Sequence, residues 1–147
     1  MVSYLVARPS RDIVVAAHQE LTRQWWDQKR GSYHLVVSDL VLREASAGDP
    51  KAAEQRRAVL AGVDVIEVRE PARDLADQLV QRGAVPVAAA EDALHVAIAV
   101  TSGVEYLLTW NCSHIANAAM RHSIDEVCLA NGYLPTVLCT PEELMEE

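Results

Sequence analysis

Ser38, Glu44, Asp92 and Asn111 carry oxygen-bearing side chains and fall at, or shortly after, the ends of predicted strands. Short apolar runs alternate with helical patterns, which implies a parallel sheet, and ligands of such sheets gather beyond the carboxyl ends of the strands. Asp92 opens a helix that is apolar from Ala93 to Val100 except for His95, with Ser102-Gly103 as its stop. The run Val104 to Thr109 then reads as a strand buried on both faces, so Asn111 stands just past its end. Ser38 closes a strand over His34 to Ser38 and opens a helix over Ser38 to Ala47, which puts Glu44 in the second turn, near the same sheet edge. Carboxylates brought together from separate helices repel one another unless something positive lies between them. Mg²⁺ or Mn²⁺, which takes a few oxygen ligands plus water, suits such a place.

The elements that must position these residues can be read in order. Local propensity makes Met1 to Ala7 a strand, closed by Arg8-Pro9-Ser10. A helix from about Asp12 to Lys29 follows, with Ile13, Ala16, Ala17, Leu21 and Trp25 at helical spacing and Gly31 past its end. After the helix at Ser38, Gly48-Asp49-Pro50 makes a break and a further helix runs from Pro50 to Ala61. Val63 to Val68 alternates as a more exposed strand does, and Ala72 to Gln81 is an amphipathic helix. Residues 113 to 130 are helical in one or two pieces, Asn131-Gly132 turns, and Thr136 to Cys139 is a last strand. The fold class that results is α/β, three-layer α/β/α with a central parallel sheet. At 147 residues the chain has the size of one domain, and no linker divides it.

The net charge of −8 argues against binding nucleic acid by bulk electrostatics, but not against an enzyme whose carboxylates hold metal ions that meet the phosphate. No apolar run approaches the roughly 20 residues that span a bilayer. Three cysteines without a Cys-x-x-Cys pair, and no signal-peptide pattern, point to a reducing cytoplasm and no membrane. Gly-rich phosphate loops, a Gly-x-Ser-x-Gly elbow and His-Glu-x-x-His are all missing from the sequence.

Ser-x5-Glu at Ser38 to Glu44, Asp-Ala-Leu-His-Val-Ala at Asp92 to Ala97, Tyr-Leu-Leu-Thr-Trp-Asn at Tyr106 to Asn111 and Cys-Thr-Pro-Glu-Glu-Leu at Cys139 to Leu144 together resemble the PIN domain family. The resemblance covers essentially the whole chain in order and spacing. It implies a small PIN-like α/β fold and a metal-dependent endoribonuclease, of the kind found among VapC-type toxins of toxin-antitoxin pairs. Carried onto this sequence, it makes Glu44 and Asp92 acidic ligands of Mg²⁺ or Mn²⁺. Asn111 takes a position that is often acidic, and Ser38 matches a family hydroxyl. The implied partners are an RNA substrate, an antitoxin protein and a second copy in a homodimer, with Trp25, Trp26 and the Gln78-Leu79 helix face as candidate contacts. The implied chemistry is attack of a metal-activated water on a phosphodiester. A non-cutting PIN domain that binds RNA or protein is the alternative.

The family opens with a central strand ending in an acidic residue, followed by a helical turn. Here Val2-Ser3-Tyr4-Leu5 matches that turn, so the strand and the first acidic ligand are expected upstream of Met1; the other option makes Met1 to Ala7 a substitute strand. Several residues carry a second reading. Asp92 can be the cap of its helix, Asn111 a turn residue or cap, and His95 a hydrogen-bonded core histidine. Arg8 and Arg11 read as solvated loop charges or as grips on RNA phosphates. Trp25 and Trp26, about 100° apart on their helix, give one core ring and one surface or interface ring. Cys112, His114, His122 and Cys128 lack a recognised zinc spacing.

Overall fold

The computed structural model describes residues 1–111 and 117–145. In chain order the elements are α1 (Val2–Val6), α2 (Ile13–Gln28), β1 (Val36–Ser38), α3 (Asp39–Ala45), α4 (Pro50–Val59), β2 (Asp64–Ile66), α5 (Glu70–Gln81), α6 (Ala90–Thr101), β3 (Tyr106–Leu108), α7 (Ala118–Ala130), β4 (Val137–Cys139) and α8 (Pro141–Met145). Their contacts gather into two compact units, one built from Met1–Ile66 and the segment beginning at Pro141, the other from Glu67–Thr140. The class is mixed α/β, rich in helix. Among the described residues the strands pair as two separate two-stranded parallel sheets, one in each unit.

In the first unit, side-chain caps set the helix starts. The Asp12 carboxylate accepts the Val15 N–H at 3.0 Å, and the Asp49 carboxylate accepts the Ala52 N–H at 3.0 Å just before Pro50 opens α4. β1 and β2 lie in register with Val36 opposite Asp64 and Ser38 opposite Ile66. Met1 to Ala7, a strand by local propensity, is instead helix α1, in agreement with the turn that the family resemblance implies. The buried face of α2 also differs from the spacing first read. Gln19, Thr22 and Trp25 are buried while Ile13 is 86% exposed. Gln19 and Thr22 have hydrogen-bond partners on that face, whereas the buried Trp25 Nε1 has none among the described residues. Gln19 donates to the Arg8 carbonyl and accepts the Ser10 N–H, tying the preceding loop to the helix, and the Thr22 hydroxyl donates to the His18 carbonyl.

In the second unit α5 packs along α6. Leu75 and Leu79 of α5, Ala93, Val96 and Ala97 of α6, and Ile124 and Cys128 of α7 form its core. Leu79 is fully buried, which removes it from the Gln78-Leu79 face suggested as a dimer contact. At the end of α6, Gly103 adopts φ 72° and the Val104 N–H bonds back to the Ala99 carbonyl, a Schellman closure that needs a residue without Cβ strain. The chain then enters β3, which pairs in parallel with β4, Tyr106 opposite Val137 and Leu108 opposite Cys139. All three β3 residues are half-buried, where burial on both faces was expected. With one neighbouring strand among the described residues, β3 is covered less than the interior strand of a wider sheet. No helix of the described residues is long and apolar enough to cross a membrane.

Burial, with Asp125 nearby adding a smaller push, raises the Cys128 thiol from 9.0 to about 11. Between those two values the unfolded chain gives up the thiol proton while the folded chain keeps it, so stability falls as pH rises. Urea melts between pH 8.5 and 10.5 should show a steeper loss for the wild type than for Cys128→Ala. Equal slopes would contradict the burial of this thiol.

Candidate functional site

The second unit brings together two of the residues singled out in the sequence. Asp92 lies in the first turn of α6, whose N-cap is Ala89 with no side-chain hydrogen bond. Asp92 is therefore not the cap, although the positive end of the helix favours a negative charge there. Its half-buried carboxylate accepts a hydrogen bond from the Asn111 amide, Nδ2 to Oδ2, at 2.9 Å. A carboxylate without its proton can only accept, so the amide nitrogen is the atom that faces it.

Simple lengths explain the meeting. The 12 residues of α6 rise about 18 Å, and the extended stretch from Val104 to Thr109 covers about 20 Å in the opposite sense. The turn at Gly103 therefore returns Asn111 to the level of Asp92. Thr109 fixes the last step. Its backbone N–H bonds to the Cys139 carbonyl at 2.9 Å, and its hydroxyl accepts the Asn111 N–H at 2.9 Å. A continuous path of hydrogen bonds runs from the end of β4 through Thr109 and Asn111 to Asp92. Thr109 was not singled out from the sequence; the signal was a hydroxyl two residues before an Asn at a strand end, the pattern of a side-chain turn. His95, one turn further along α6, is half-buried.

The first unit holds the other candidates. Ser38 is buried and its hydroxyl accepts the Val41 N–H at 3.2 Å, which makes it the cap of α3. Glu44 follows on the second turn of α3, exposed. Its charge acts on the α-amino group of Met1, whose pKa is lowered from 8.0 because burial outweighs the pull of Glu44. Arg8 and Arg11 are exposed in the loop between α1 and α2. Of the residues considered for zinc, Cys112 and His114 lie outside the described residues; His122 pairs with Glu126 at 2.9 Å, and Cys128 is fully buried.

Mg²⁺ and Mn²⁺ prefer hard oxygen ligands and retain water, and Asp92 fits that preference. One amide donor leaves acceptor capacity on both carboxylate oxygens. Asn111 adds no charge, so in the pair it forms with Asp92 only the carboxylate can carry one. Among the described residues no group of three or more His, Cys, Asp or Glu side chains stands together as a metal cluster.

Asn111→Asp replaces the amide donor with a second carboxylate within hydrogen-bond distance of Asp92. At neutral pH the variant should melt lower than the wild type in metal-free buffer, recover as pH falls into the carboxylate range near about 4, and gain more from added Mg²⁺. Equal melting temperatures in metal-free buffer at both pH values would show that residue 111 does not face Asp92. No family model, no curated protein and no solved structure matches the chain.

Proposed function

We propose that the chain is an endoribonuclease of the PIN type, three-layered and dependent on Mg²⁺ or Mn²⁺, that cuts single-stranded RNA as the toxin of a toxin-antitoxin pair. The observation that supports it most is the Asp92 carboxylate, half-buried at the start of α6 and oriented by Asn111 beyond the carboxyl end of a parallel strand. Asp92 is the acidic ligand of this reading, and Asn111 is the residue that holds its carboxylate in one orientation. Glu44, on the first unit, is the other acidic residue that the family resemblance implies. A bound divalent ion lowers the pKa of water and offsets charge developing on the phosphate. Ser38 contributes by starting α3 and so placing Glu44. Arg8 and Arg11 supply exposed positive charge that RNA phosphates can meet.

One observation favours a second reading, a PIN-type module that binds RNA or protein and does not cut. Asn111 is uncharged, and it engages an oxygen of the Asp92 carboxylate.

A labelled single-stranded RNA incubated with Mg²⁺, with Mn²⁺ or with chelator separates the two. The nuclease reading expects cleavage with either ion, none in chelator, and a loss of roughly a hundredfold or more in Asp92→Asn with the fold intact. Cleavage in chelator, or an unchanged rate in Asp92→Asn, contradicts it. Metal-independent binding without cleavage supports the module.

A further inference from the structure

We propose that the end of α2 and the turn after it form a landing for single-stranded RNA, with Arg30 over Trp26 as its stacking platform; the choice of ligand rests on the reading above. The segment from Arg23 to His34 carries Arg23, Lys29 and Arg30 against Asp27 alone, in a chain with 13 basic and 21 acidic residues. Arg23 is used internally, its guanidinium donating to the Ala7 carbonyl at 2.7 Å. Arg30 is placed differently. Its guanidinium carbon lies 4.1 Å from the centroid of the Trp26 ring, and among the described residues that guanidinium makes no hydrogen bond and has no carboxylate partner.

A guanidinium laid on an indole keeps its donors in its own plane, where they suit a phosphate, and leaves one flat face for a base. Unpaired bases stack on such planes, whereas paired bases in a duplex have their faces covered. The turn is also held in place. The Lys29 N–H bonds to the Trp25 carbonyl, Ser32 to Lys29 and Tyr33 to Arg30, all at 2.8 to 3.1 Å. Trp25 is 2% exposed, and the Tyr33 ring packs on it with centroids 5.9 Å apart. The buried ring therefore anchors the turn that presents Arg30, so little ordering is left to occur on binding.

The test uses a 5′-labelled 12-nucleotide single-stranded RNA, followed by anisotropy and tryptophan quenching in chelator. The wild type should bind with quenching, more tightly than it binds a duplex of the same sequence. Arg30→Ala should weaken binding about fivefold or more, the scale of one stacked base, and flatten the salt dependence by about 0.7 in log–log slope. Arg30→Lys keeps the charge without the plane and should recover little of the loss. Circular dichroism checks that the variants fold. Absence of wild-type binding, equal affinity of Arg30→Ala, or full recovery in Arg30→Lys overturns the proposal. So does sedimentation showing a dimer that Arg30→Ala dissociates, which would give this face to a second copy. Failure of the nuclease reading looks different: Arg30-dependent binding persists without cleavage.

Discussion

A helix that is apolar on almost every side has to be covered on several sides, and that requirement organises the second unit. From Ala93 to Val100, α6 buries six of its residues, and each apolar side chain of Val or Ile size contributes about 1.5 to 3 kcal/mol when fully removed from water. Small residues at Ala93 and Ala97 are fully buried in that core, and the amphipathic α5 packs alongside with Leu75 and Leu79. A helix held this firmly has little freedom in its first turn. Asp92 inherits its position from the packing of the residues that follow it, and Asn111 inherits its own from the ladder between β3 and β4.

Charge is distributed so that acidic and basic groups do different work. The excess of acid, −8 overall, disfavours nonspecific capture of polyanions, so any contact with RNA must come from placed groups instead of from net attraction. At the start of α6 a carboxylate is kept partly exposed and oriented by a neutral amide. At the end of α2 a guanidinium is held on an aromatic ring with its donors uncommitted.

The local features of the fold were legible from particular residues. Ser38, Asp49-Pro50 and Ser102-Gly103 marked helix boundaries, because capping and glycine closure are set by the few residues at the boundary itself. The long helix after Ser10 was visible from its periodicity, but its buried face was not. Apolar spacing favoured Ile13, whereas Gln19 is turned inward to satisfy two backbone groups of the preceding loop. The half-burial of β3 and the pairing into two short sheets depend on which strands meet, which no local pattern states. Asp92 and Asn111 were both recognised as candidates, yet their direct bond spans 19 residues and follows from the matched lengths of helix and strand. Thr109 escaped notice because a hydroxyl inside an apolar run reads as strand composition.

Paramagnetic broadening by Mn²⁺ of the side-chain amide signals tests the central claim, that Asp92 is a metal ligand oriented by Asn111. Substoichiometric Mn²⁺ should broaden the Asn111 Nδ2 protons and the backbone amides around Asp92 before other signals, and excess Mg²⁺ should reverse the effect by competition. If those signals stay sharp while others broaden, or if Asp92→Asn leaves the pattern unchanged, the ion binds elsewhere and the account of this site is wrong.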